Sequence, residues 1–283
     1  MPPRTVLTER QKRLGSELRR IRTSAGMSAE YAAGLLGVDR GKISNMESGV
    51  RGISAERLRT LACNCGCTDE RYTDALVAMA EKQERGWWEE YRGTLPPGML
   101  DIAELEWHAK RLLTIQTVHV PGLFHTEDYA RAVCSAFLPP LSRLEVELRV
   151  NHRIERQRVL NEEIARPYVG YVHEAALRMH FGGPKAARAQ LDYLCAQSER
   201  EHITVRVIPV ECGIFPGAGQ AMLYAEGVVP QLDTVQLDSA HGPEFTHAEA
   251  QLAKYRAHLD WMTENALTPE ESRDFIHAVA RQL

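Results

Sequence analysis

The stretch that most constrains this chain is "SAEYAAGLLGVDRGKISNMESG", residues 28–49. Ser28 and Asp39 are N-cap residue types, and Gly37 and Gly49 are helix stops. The segment can therefore form only two short helices around a tight Gly37-Val38 turn. Helices of this length are marginal in water and must be held by packing. Ala33 is small where two helix axes have to approach, and Ile43 and Met46 give the second helix one apolar edge. With the inward face spent on those two, Arg40, Gly41, Lys42, Ser44 and Asn45 are left to point outward together.

The flanks extend the pattern. Leu14, Leu18 and Ile21 form one stripe of a helix that Gly26 ends, and its other faces carry Lys12, Arg13, Arg19, Arg20 and Arg22. Ser54 caps a further helix with the stripe Leu58, Leu61, Ala62 and Cys65. Short helices joined by glycine turns predict a compact all-α domain over residues 1–67. Its charge sets it apart: 12 Lys and Arg stand against 6 Asp and Glu, whereas the rest carries 22 against 32. A basic head on an acidic body points to a polyanionic partner for the head.

Residues 10–66 resemble the Xre-type, phage-repressor-like helix-turn-helix domain, on the spacing of Ala33, Gly37, Ile43, Met46, Glu47 and Gly49. The resemblance implies double-stranded DNA as the partner, with Arg40, Gly41 and Asn45 at base edges in the major groove and Lys42 and Ser44 beside them. It implies that Arg22 pairs with Glu47, and that Arg19, Ser28, Ser48 and Arg51 meet phosphates. One such head covers a half-site, so a homodimer on a near-palindromic operator is expected. Ala29 stands where the family usually has a phosphate-gripping Gln, which shifts affinity toward the arginines and dimerisation.

Beyond the head, "TDERYTDALVAMAEKQE" puts Tyr72, Ala75, Leu76 and Met79 on one face of a helix after Thr68, and residues 68–92 read as a linking segment. Trp87, Trp88 and Tyr91 need a place to bury: a core or interdomain plug, or a surface for a ligand or partner. Residues 93–283 read as an α/β domain with a small sheet packed by helices. After a loop at "LPPG", a helix covers "DIAELEWHAKRLLTIQ", and Thr126 caps a short one past the Pro121-Gly122 turn. A long, charged helix solvated on two sides covers "LSRLEVELRVNHRIERQRVLNEE". Strands follow in "RPYVGYV", "ITVRVIP", "GQAMLYAEG" and "LDTVQLD", with a helix starting at Pro184 between the first two. Capping boxes from Thr246 to Glu249 and from Thr268 to Glu271 open the last two helices.

The segments "GWWEEYRG", "VPGLFHTEDYARAV", "NHRIERQRVL", "HEAALRMHFGGP" and "LTPEESRDFI" resemble the C-terminal domain of actinobacterial Xre-type regulators of the WhiJ kind. That resemblance implies a developmental or toxin–antitoxin-like transcription regulator whose antitoxin-like C-terminal domain binds a small cognate partner protein.

Catalytic and metal motifs fail on spacing. "HEAALRMH" places its second His at 180, three residues too late for the zincin face. "HAE" at 247–249 has no P-C-x-x-C to complete a deaminase. "FPGAGQ" lies between two strands and suits a hairpin better than a phosphate cradle. Cys63, Cys65 and Cys67 could bind metal or sense oxidation, but Cys65 belongs to an apolar stripe and no nearby His completes a ligand set. No catalytic residues, metal or cofactor are expected. No run approaches the ~20 apolar residues of a membrane helix, no signal-peptide core opens the chain, and the thiols suit a cytoplasmic setting. The sequence thus reads as a dimeric, sequence-specific DNA-binding regulator. The alternative is an antitoxin-like interaction protein for which DNA binding is secondary.

Overall fold

The computed structural model describes residues 7–81, 85–161, 163–216 and 219–283, and the chain divides into two compact units, Met1–Glu90 and Tyr91–Leu283. In the first unit, α1 (Glu9–Ser24), α2 (Ala29–Leu35), α3 (Arg40–Glu47), α4 (Ala55–Asn64) and α5 (Glu70–Ala80) form an all-α domain. Four starts follow from caps: Ser28, Asp39, Ser54 and Asp69 each accept a backbone N–H three residues on. The cap of α5 is thus Asp69 and not Thr68, and Val77 joins Tyr72, Ala75 and Leu76 in its buried set, while Met79 is half-buried. Cys65 ends α4 as a half-buried C-cap instead of joining its core stripe.

Two glycines fix how α1 meets α3. A Cβ on Gly15 would lie 2.6 Å from the Glu47 carbonyl oxygen, and one on Gly49 would lie 2.7 Å from that of Gln11. Gly49 also has φ of +78°, a conformation that glycine adopts without strain. Beside this crossing, buried Glu17 meets the Arg13 Nε at 2.9 Å and the Arg20 Nε at 2.8 Å. It also accepts a 2.5 Å hydrogen bond from the Tyr72 hydroxyl of α5.

The second unit is a six-stranded mixed sheet packed by helices on both faces. Its strands are β1 (Arg111–Gln116), β2 (Tyr168–His173), β3 (Ile203–Ile208), β4 (Met222–Glu226), β5 (Thr234–Ser239) and β6 (Gly242–Thr246), in the order β3-β2-β1-β4-β5-β6. The β1–β2 and β2–β3 pairs are parallel and the remaining pairs antiparallel. The helices are α6 (Pro97–His108), α7 (Glu127–Ser135), α8 (Arg143–Arg156), α9 (Glu174–Arg178), α10 (Pro184–Ser198), α11 (Glu249–Asn265) and α12 (Pro269–Ala280). Leu112, Tyr168, Val172, Val205 and Leu223 face a core shared with Phe124, Tyr129, Leu191, Leu194 and Ile276. Leu113, Ile115, Tyr171, Tyr224 and Val235 face Leu252, Leu259 and Met262 of α11. Each such side chain contributes about 1.5–3 kcal/mol by leaving water.

Several elements differ from the sequence pattern, each for a physical reason. The helix expected to run through "RLLTIQ" stops at His108, and those residues form β1; its four central residues are buried in succession on both faces, so no apolar–polar alternation marks the strand. The "LPPG" loop is instead the start of α6, with Pro97 in its first turn. Edge strand β6 has no buried residue and contains Pro243, so it left no alternating signal. Thr246 belongs to β6 and bonds Gln251, while α11 opens at an Ala248 cap without a side-chain bond; the capping box expected there is absent, and Glu249 pairs with Arg256. The box from Thr268 to Glu271 is present. The "FPGAGQ" segment, of which Gly217 and Ala218 lie outside the described residues, does not join a hairpin, because β4 pairs with β1 and not with β3. The long charged helix ends at Arg156 in a 3-10 turn, Gln157–Leu160, and buries Val146, Val150 and His152.

Candidate nucleic-acid interface

The site begins with what α3 hides. Ile43 and Met46 are buried, and the Arg22 guanidinium grips Glu47 through Nε and Nη2 at 2.5 and 3.0 Å. Its Nη1 donates to the Met27 carbonyl at 2.7 Å. One side chain therefore ties the end of α1 to the end of α3 and to the loop before α2. Both partners keep only 11% of their side-chain surface exposed, and the Glu47 bonds hold Arg22 above the ordinary arginine pKa.

What α3 shows is a single row. Arg40, Gly41, Ser44, Asn45 and Ser48 are exposed, and at 100° per residue they span one face opposite Ile43 and Met46. Gly41 presents bare backbone in that row. Lys42 is not in it: half-buried on the flank, it lies 3.0 Å from Asp39, and this pairing with the capping bond holds the Asp39 carboxyl below the usual range. Arg40 is 74% exposed and 2.8 Å from Glu30 of α2, an ion pair open to water and therefore weak. DNA phosphates or a guanine edge could replace Glu30 at small cost.

Among the expected phosphate contacts, Arg19 on α1 and Arg51 after α3 are exposed and have no ion-pair partner among the described residues. Ser28 is exposed but caps α2, accepting from the Tyr31 N–H at 3.1 Å, and the Ser48 hydroxyl donates to the Asn45 carbonyl. Trp87, Trp88 and Tyr91 lie on one 3-10 turn. Trp88 is buried, Trp87 stands edge-on to it at 5.9 Å, and Tyr91 stands edge-on to His152 at 5.1 Å. The cysteines are free thiols: Cys65 lies 3.9 Å from the Met27 sulfur and Cys67 lies 3.7 Å from the Thr73 hydroxyl. Among the described residues no group of three His, Cys, Asp or Glu could hold a metal.

The roles of Gly15 and of the Glu17 network went unread in the sequence. Arg13 and Glu17, four apart on α1, carried a partial signal; Tyr72, 55 residues from Glu17, carried none.

A family described as a domain of unknown function (DUF5753) matches residues 99–278, well over half of the chain. The chain belongs to the DUF5753 family. Its DUF5753 region runs from early α6 to late α12, the α/β unit. A helix-turn-helix domain matches residues 13–74, from α1 into α5, and such a domain is the mark of DNA-binding regulators. No curated protein and no solved structure matches the chain. No helix among the described residues is long and apolar enough to cross a membrane.

Proposed function

We propose that this protein is a cytoplasmic, sequence-specific transcriptional regulator that binds near-palindromic operators as a dimer, and that its C-terminal unit receives a small partner protein or a ligand. The observation that carries the reading is the outward row of α3, which combines a guanidinium, bare backbone and a carboxamide. Arg40 has the fork for guanine O6 and N7, Asn45 the paired donor and acceptor for adenine, and Gly41 lets the backbone approach the groove. The exposed Arg19 and Arg51 supply charge for phosphates. Partner binding is supported by three exposed apolar residues close in sequence, Phe137, Leu138 at 88% exposure and Leu144. This fits an Xre-type regulator of the WhiJ kind with an antitoxin-like C-terminal domain, and it assigns the chain no reaction.

The test is binding of the full chain to the promoter of its own gene across salt concentrations. A dimer gripping 6–10 phosphates loses about 10³-fold or more in affinity between 50 and 200 mM salt. A flat salt response, or no preference over scrambled DNA, would leave only the interaction-protein reading.

A further inference from the structure

The loop that follows β1 is held rigidly. The Gln190 amide donates to the Phe124 carbonyl at 2.6 Å and accepts from the Thr126 N–H at 2.8 Å, and the Gln157 amide donates to the His125 carbonyl at 2.7 Å. His125 is buried, with Nε2 2.7 Å from the Val120 carbonyl and Nδ1 3.0 Å from Arg153 Nη1. A carbonyl can only accept, so Nε2 carries the proton; Arg153 can only donate, so Nδ1 is a lone pair. The imidazole is neutral and offers Arg153 no charge.

Arg153 therefore lacks what three other arginines have. Arg22, Arg131 and Arg156 each hold a carboxylate through Nε and Nη2, on Glu47, Glu147 and Glu106 respectively. Arg153 is half-buried, its Nε is sealed from water without a hydrogen-bond partner, and among the described residues no carboxylate forms an ion pair with its guanidinium. A charge so placed is costly unless something pairs with it. An exposed carboxylate, that of Asp238 at the end of β5, forms no ion pair among the described residues and accepts a hydrogen bond from the Gln236 amide. It acts electrostatically on His119, Arg153 and Arg156 without touching them. Strands β1 and β5 run the same way, so Asp238, His119 and the β1 loop share the carboxyl-end edge of the sheet, where α/β proteins bind ligands.

We propose that this edge binds a small carboxylate, with Arg153 as the anchor and Asp238 facing a donor or cationic group at the ligand's other end. A phosphate dianion fits less well, because Asp238 repels the second charge. The proposal deepens the reading of the C-terminal unit as the receiving half and rests on it only for the effect on DNA binding.

The test is thermal unfolding of the full chain, without DNA, in tens of millimolar glutamate, acetate or inorganic phosphate, with chloride matching the ionic strength. Glutamate is expected to raise the melting temperature by about 2–4 °C, more than phosphate does, and Arg153→Met is expected to abolish the rise. If that variant does not fold, the exposed-site change Asp238→Asn should shift the response toward phosphate. No rise with either carboxylate, an equal rise in folded Arg153→Met, or a larger rise with phosphate would overturn the proposal. Because DNA is absent, loss of operator binding with a surviving glutamate response would sink only the regulator reading.

Discussion

Arg22 in the helical unit and Arg153 in the α/β unit are both drawn partly out of water, and they meet opposite company. Arg22 closes a bidentate bond with Glu47 and a third bond with the Met27 carbonyl. Among the described residues, the Arg153 guanidinium hydrogen-bonds only a neutral imidazole. Breaking a matched pair strands the remaining charge at a large cost, whereas a charge that is already unmatched burdens the fold and gives a ligand something to offset. In the helical unit the Arg22–Glu47 pair fixes α3 and the Glu17 network ties α1 to α5, while the outward row of α3 stays exposed.

The comparison can be broken first at its strongest point. Arg22→Ala strands Glu47 and should lower the stability of the helical unit by about 3–5 kcal/mol, read from thermal or urea unfolding. An unchanged transition would remove the pair from the account. Acid separates the units next. Burial holds His125 well below 6.5 and His152 down at about 3. Above pH 6.5 both are neutral folded and unfolded, so they cost nothing. As pH falls below 6.5, only the unfolded chain takes up the protons, and each imidazole should remove about 2 kcal/mol between pH 7 and pH 5. A urea midpoint for the α/β unit that stays constant over that range would deny the buried neutral pair. Gly15→Ala forces a methyl against the backbone of Glu47 and should cost about 1–3 kcal/mol while displacing α3. A variant that melts normally and binds operator normally would show that the crossing can relax. The smallest effect expected is for Arg153→Met, which should leave stability within about 1 kcal/mol of the parent or raise it. A loss comparable to that of Arg22→Ala would mean that Arg153 is structural.

The helical unit was far more legible than the α/β unit, because its signals are local. Asp39 and Gly49 delimit α3 within eleven residues, and Ile43 with Met46 declares its inward edge. The Arg22–Glu47 contact came from a family resemblance and not from periodicity, and Gly15 was passed over because a helix interior gives no local reason for glycine; its reason is the backbone of Glu47. In the α/β unit, β1 hides in sequence because Leu112 and Leu113 are buried on opposite faces and give no alternation. The neutrality of His125 depends on Val120 and Arg153, 28 residues away from it in the latter case, and no spacing rule joins them.

The claim on which the account turns is that the outward row of α3 reads bases. It is tested by selecting bound sequences from random double-stranded DNA with the full chain and with Arg40→Ala and Asn45→Ala. The parent should recover one preferred half-site, and each variant should lose preference at one base pair at a cost of about 1–3 kcal/mol on the parent's site, with its salt dependence retained. Identical preferences in all three proteins would contradict it.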